Sequence, residues 1–86
     1  MIGTLVKSKA GHDKGTIYVV IKEDEKNVYV SDGRLKSVEQ PKKKNIRHIQ
    51  PIKKCCSDEL VNKLLQQMPV RDEEIKRFIK LYQNGN

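Results

Sequence analysis

The chain has 86 residues, of which 34% are charged and 36% belong to the hydrophobic set, with one Phe, three Tyr and no Trp. A chain of this length builds one small core, which excludes a two-domain enzyme with a cleft between its domains. No apolar run is long enough to span a bilayer, and the first nine residues lack the apolar stretch of a secretory signal, so we expect a soluble cytoplasmic protein.

The first part of the chain has the pattern of short strands separated by turns. An apolar stretch opens at Leu5-Val6 and ends at Ala10, and residues 11–15 (GHDKG) then predict a turn with glycine at both ends. Residues 16–21 (TIYVVI) are rich in β-branched and aromatic side chains and apolar on both faces, which predicts a buried strand.

Further strand patterns follow a charged hairpin connection at residues 23–27. Residues 28–30 predict the answering strand, which the Asp32-Gly33 turn closes, and residues 35–38 predict a fourth short strand. Residues 46–52 predict a fifth strand, although their isoleucines recur at every third position. Because Pro51 lies among them, we expect an edge strand, a bulge or an irregular end. Short strands at this spacing predict a small barrel or sandwich, and a barrel also protects strand edges.

The apolar period changes from residue 57 onward and predicts one or two helices. Ser57 is a capping residue for a first helix with acidic residues in its first turn, and Pro69 ends it. A second helix begins near Asp72 and ends before Gly85. The two apolar faces pack on each other as a helical hairpin, on the barrel, or on another protein; they contain Leu60, Val61, Leu64, Leu65 and Met68 in the first helix and Ile75, Phe78, Ile79 and Tyr82 in the second.

Nearly all of the net charge of +7 comes from residues 42–54 (KKKNIRHIQPIKK), which contain six Lys/Arg and no acid. Residues 1–41 carry a net charge of +1, and residues 55–86 are neutral. A localised positive field attracts polyanions, so the charge alone allows RNA, DNA, an anionic membrane or an acidic protein as partner. A solvated basic surface and a nuclear-import tract at PKKK are the competing interpretations.

The two cysteines, Cys55 and Cys56, are adjacent, which is a poor geometry for a mutual disulfide. His12 and His48 lie too far away in sequence for zinc-site spacing. No paired carboxylates and no nucleophile–base motif occur at a useful spacing either. We therefore expect no cofactor, no metal and no enzymatic activity.

Val6, residues 11–15 (GHDKG) and Tyr18-Val19-Val20 resemble the KOW motif, in which two strands flank a loop of the form G-x-D-K-G. Together with residues 28–50, which include SDGRL and PKKK, they resemble small bacterial KOW-domain RNA-binding proteins related to a large-subunit ribosomal protein of archaea and eukaryotes. The resemblance covers residues 1–52 and implies an SH3-like β-barrel that binds RNA, typically ribosomal RNA. One departure is His12, where members often carry Arg or Lys.

The physical properties of these residues agree with the resemblance. A glycine-bounded loop lets backbone N–H groups approach a phosphate, Lys14 adds a point charge, and Arg34 offers a planar fork. With few aromatic residues, the chain is suited to recognising the backbone of a structured RNA. The predicted RNA-binding residues are Lys7, Lys9, Gly11, His12, Lys14, Gly15, Arg34, Lys36, Lys42, Lys43, Lys44, Arg47 and His48.

The sequence thus predicts a mainly β protein: a small SH3-like barrel of about five strands at residues 1–54, with the basic segment 42–54, followed by a helical extension at residues 55–86. A non-enzymatic RNA-binding protein associated with the ribosome or its assembly is the first functional hypothesis. The alternative is a protein-interaction module in transcription or translation that uses the barrel or helices 57–84. No membrane partner is expected.

Overall fold

The computed structural model describes residues 1–55 and 58–84. Five antiparallel strands in this part of the chain form one sheet, curled into an SH3-like half-barrel with strand order β4-β3-β2-β1-β5. The mainly β fold followed by two helices is therefore confirmed. The elements are β1 (Thr4–Ser8), β2 (Ile17–Glu23), β3 (Asn27–Ser31), β4 (Lys42–Asn45), a 3₁₀ turn (Ile46–His48), β5 (Ile49–Cys55), α1 (Asp58–Leu65) and α2 (Asp72–Asn84).

The sheet is buried on both faces because its strands are apolar at successive positions. Side chains on the concave face form the barrel interior, and those on the convex face are covered by the helices. The helices therefore pack on the barrel and on each other, in one shared core, and docking on another protein stays a prediction. The interior contains Val6, Tyr18, Val20, Val28, Val30 and Ile49, and the second core contains Leu5, Val19, Leu60, Leu64, Ile75 and Ile79.

The prediction of a strand at residues 35–38 is wrong, and Leu35 is 90% exposed. Hydrogen bonds within the turn account for this: Ser31 Oγ and the Asp32 N–H donate to the Lys36 carbonyl, and the Lys36 N–H donates to Asp32 Oδ1. Such local bonds compete with a strand ladder. The fourth strand, β4, lies instead in the lysine run at Lys42–Asn45 and pairs with β3.

The strand predicted at residues 46–52 begins only at Ile49, because Ile46 lies in the 3₁₀ turn. Asn45 caps this turn by accepting a hydrogen bond from the Arg47 N–H at 2.8 Å. β5 is an edge strand, and its register with β1 shifts between Thr4 and Val6, so the expected edge position and irregularity are confirmed.

The first helix is shorter than its apolar pattern predicted, since α1 ends at Leu65 and Met68 is half exposed beyond it. The proposed cap Ser57 and the terminal Gly85 lie outside the described residues. Neither α1 nor α2 is long and apolar enough to cross a membrane.

Candidate nucleic-acid interface

The strand register shows which loops lie together at each end of the sheet. Ser8 pairs with Ile49, Lys7 with Ile17, and Val30 with Lys42. The glycine loop (residues 9–16), the turn at residues 31–36 and the starts of β4 and β5 therefore share one end, here called the loop end. The acidic β2–β3 connection, residues 23–27, lies at the opposite end, here called the hairpin end.

Asp13 holds the glycine loop against the barrel mouth. Its Oδ1 accepts from Lys44 Nζ at 2.8 Å and from Ser8 Oγ at 2.9 Å, while its Oδ2 accepts from Tyr18 OH at 2.6 Å and lies 3.1 Å from Lys42 Nζ. Because Lys42 and Lys44 alternate along β4, both side chains point to the concave side and meet at this carboxylate. Two lysines of the basic segment thus neutralise an internal acid.

Electrostatics keep this carboxylate ionised. Burial by itself would raise the pKa of Asp13, but hydrogen bonds from Lys44, Tyr18, Lys42 and Ser8 outweigh it and hold that pKa well below its ordinary value. Burial and the bond to Asp13 raise the pKa of the Tyr18 hydroxyl above its ordinary value. A phosphate approaching the loop therefore meets an acid whose charge is already balanced by two ammonium groups.

Lys44 is the predicted contact whose place in the structure differs most from expectation. Its side chain is 6% exposed, and its Nζ also donates to the Ala10 carbonyl at 3.0 Å. Lys42 keeps a third of its side chain exposed. We therefore give Lys44 an internal, loop-positioning role, while Lys42 is within reach of both Asp13 and solvent.

The glycine loop leaves several backbone N–H groups without a backbone partner among the described residues. Gly11 and Gly15 have φ values of 89° and 93°, a region that other residues seldom adopt, and the Gly15 N–H donates back to the Ser8 carbonyl at 2.9 Å. Within the described part of the chain, no backbone hydrogen bond uses the N–H groups of Gly11, His12 or Asp13. Successive free N–H groups in such a turn are suited to an anion.

Exposed lysine and histidine side chains surround this loop. Lys9, His12, Lys14 and His48 are exposed, and the Lys9 N–H donates to the His48 carbonyl at 2.8 Å, which brings the start of β5 beside the loop. Arg34 is exposed on the neighbouring turn, where Lys36 is half-buried. The loop end therefore brings together Lys9, Gly11, His12, Lys14, Gly15, Arg34, Lys36, Lys42 and His48.

Three predicted contacts lie elsewhere. Lys43 is opposite Tyr29 on the convex face, close enough to Asp24 to act on its carboxylate. Arg47 lines a shallow cavity with Glu25 and Lys26 near the hairpin end. Lys7 is exposed opposite Ile17, on the face of the sheet that the helices partly cover.

The tyrosines of the sheet are not placed to stack on bases. Tyr18 is 2% exposed in the barrel interior. Tyr29 is half-buried, its hydroxyl donates to Asp24 at 3.3 Å, and Lys22 Nζ lies 5.7 Å from its ring centroid. The loop end therefore offers charges and N–H donors, a set that fits backbone phosphates. Among the described residues, no group of three or more His, Cys, Asp or Glu is arranged to hold a metal ion.

Sequence reasoning missed three cations of α2, namely Lys76, Arg77 and Lys80. They line a groove together with Gly15 and Arg34 of the loop end. Their spacing in the sequence, i, i+1 and i+4, could have predicted a basic side of the second helix. We did not predict this basic side, because residues 55–86 have no net charge when they are counted together.

No protein-family model matches the chain, and no curated protein matches it.

Proposed function

We propose that this protein is a non-enzymatic, cytoplasmic RNA-binding protein that holds the phosphate backbone of ribosomal RNA at its loop end, on the ribosome or during its assembly. The observation that supports it is the convergence of free N–H groups and exposed cations around a loop whose one carboxylate, Asp13, is internally neutralised. The choice of ribosomal RNA depends on the resemblance of residues 1–52 to KOW-domain proteins.

Each part of the loop end has a distinct role in this proposal. The N–H groups of Gly11 and His12 donate to one phosphate, and Lys14 supplies the charge beside it. Lys9 and His48 extend the contact along the backbone. Asp13, Lys42 and Lys44 fix the loop in its binding conformation before RNA arrives, which lowers the entropy lost on binding.

Charge-matched variants test the proposal. The Lys9→Gln/Lys14→Gln protein loses two exposed cations at the loop end, and Lys22→Gln/Lys26→Gln loses two exposed cations near the hairpin end. Affinity for a labelled large-subunit ribosomal RNA fragment is measured by fluorescence anisotropy across a range of salt concentrations. With about four to six phosphate contacts, log affinity falls with log salt at a slope of about −3 to −5.

The loop-end variant should reduce the magnitude of that slope by about 1.4–1.8, since each contact contributes about 0.7–0.9. The hairpin-end variant should leave the slope near the wild-type value. Equal losses in both variants would mean that net charge alone sets the affinity and would contradict the assignment. Competition by duplex DNA of equal length distinguishes RNA from general polyanion binding.

A protein-interaction module is the second candidate, because the last residue of α1 and the turn after it leave apolar side chains exposed in a groove of about 380 Å³. Leu65 and Met68 are 58% and 50% exposed there. Deletion of residues 55–86 cannot separate the two functions, since the helices cover Leu5 and Val19 of the barrel. Surface substitution can: if Leu65→Ser/Met68→Ser abolishes co-sedimentation with ribosomes but leaves RNA affinity unchanged, the helices dock on protein.

A further inference from the structure

A groove of about 660 Å³ lies between α2 and the loop end of the sheet. One wall is the side of α2 that carries Lys76, Arg77 and Lys80. The opposite wall is formed by the end of the glycine loop at Gly15, the start of β2, and the turn that carries Arg34.

The groove concentrates positive charge. Arg34, Lys76, Arg77 and Lys80 are exposed, and none of them has an ion pair with another described residue. Among the described lining residues, Asp32 is the one carboxylate, and its Oδ1 already accepts from the N–H groups of Arg34 and Lys36 at 2.8 and 3.0 Å.

Two of the three acids in the first turn of α2, Asp72 and Glu74, are bound to other parts of the molecule. Asp72 accepts from the Val38 N–H at 2.7 Å, and Glu74 accepts from the Arg71 N–H and pairs with Lys63, both at 2.9 Å. These contacts fix the first turn of α2 on the protein. The third acid, Glu73, is exposed three and four residues before Lys76 and Arg77, but it has no ion pair with any described residue and is not among the described lining residues of the groove.

Close packing at Gly33 holds the turn after β3 against the start of α2, beside the groove. A Cβ at this position would collide with the Asp72 carbonyl oxygen and lie 2.9 Å from Cγ of Lys76. Because residue 33 is glycine, the turn after β3 packs against the start of α2. The next residue, Arg34, then lines the same groove as Lys76. Gly33 also has a φ of 72°, which suits glycine.

We infer that this groove is a second binding site for the phosphodiester backbone of the RNA that binds at the loop end. The inference rests on the proposed function and extends it. Gly15 belongs to both surfaces, so a strand leaving the glycine loop passes directly into the groove. No aromatic side chain is among the described lining residues, and four cations are, so the groove recognises phosphates and sugars without base stacking.

The test uses the full chain and the same labelled large-subunit ribosomal RNA fragment. Lys76→Gln/Lys80→Gln removes two exposed cations and leaves the buried Ile75 and Ile79 in place. At 0.15 M salt, loss of two phosphate contacts should weaken binding about 10–30-fold and reduce the magnitude of the salt slope by about 1.4–1.8. Lys22→Gln/Lys26→Gln is the matched control, and circular dichroism verifies that each variant is folded.

The outcomes separate the two proposals. Weakening by both the loop-end and the groove variants, with losses that add in the quadruple variant, supports a continuous track. Weakening by Lys9→Gln/Lys14→Gln alone, with the groove variant equal to the control, overturns the groove and keeps the proposed function. Weakening by the groove variant alone refutes the loop-end assignment and keeps the groove as a phosphate site. Absence of RNA binding by the wild-type chain overturns both.

Discussion

Replacement of Asp13 by Asn tests whether one carboxylate holds the glycine loop and the lysine strand together. The substitution keeps the size of the side chain and one carbonyl acceptor but removes the negative charge. Lys44, whose side chain is 6% exposed, then keeps a buried ammonium without its counter-ion at 2.8 Å, and Lys42 loses its partner at 3.1 Å. An uncompensated buried charge is the expensive consequence of the change.

The structure limits the size of the effect. Removing one partner of a fully buried ion pair costs about 3–5 kcal/mol. Because Asp13 is 13% and Lys42 33% exposed, water screens part of this, and we expect a loss of about 2–4 kcal/mol. For 86 residues the whole free energy of unfolding is about 4–13 kcal/mol. The expected fall in Tm is about 10–30 °C.

Urea unfolding of four proteins measures this: wild type, Asp13→Asn, Lys44→Met and the double variant. Because the two residues form one pair, the losses should not add, and the cycle should give a coupling of about 1–3 kcal/mol. Glu39→Gln, which removes an exposed carboxylate without an ion pair to any described residue, is the control for net charge and should be nearly neutral. Additive losses, or an Asp13→Asn cost below about 1 kcal/mol, would refute the reasoning.

Three further predictions concern the same architecture. First, folding lowers the pKa of Asp13 below its unfolded value of about 3.9. The ionised carboxylate therefore stabilises the folded protein above that pH, and this contribution is lost as the pH falls further. In thermal melts below about pH 4, the Tm difference between wild type and Asp13→Asn should narrow. Second, Gly33→Ala should destabilise more than Gly15→Ala in urea unfolding, because both have positive φ but only the first collides with α2; equal costs would show that the collision is relieved at no cost. Third, Ile75→Ala should cost about 2–5 kcal/mol while Leu81→Ala, at a position 59% exposed, should cost little, and equal costs would contradict the placement of the helices on the barrel.

The sequence predicted those parts of the fold in which apolar periodicity is strong. Residues 16–21 are apolar on both faces, and the structure buries that strand between the barrel interior and the helices. Residues 58–84 change to a helical period, and α1 and α2 follow. In both segments the local apolar pattern agrees with the secondary structure that forms, so residues distant in sequence were not needed to predict it.

Segments whose structure depends on distant partners were not predictable in the same way. The strand at Lys42–Asn45 has no apolar alternation, and it forms because β3 offers an edge and because Asp13, 31 residues from Lys44, accepts its ammonium. Residues 35–38 have a more strand-like sequence than Lys42–Asn45, but the hydrogen bonds of Ser31 and Asp32 with Lys36 hold them in a turn. Neither the carboxylate nor the turn bonds are visible in a window of neighbouring residues.

The same limit applies to charge. Summed along the chain, residues 42–54 carry six cations and residues 55–86 carry no net charge. Folding changes this distribution, because Lys42 and Lys44 contact Asp13, while Asp72 and Glu74 of α2 are bound by Val38, Arg71 and Lys63. The exposed cations near the groove are therefore those of the glycine loop, Arg34 of the turn after β3, and those of α2, a helix in a segment without net charge. A surface of this kind is defined by which charges lack internal partners, and only the fold shows which those are.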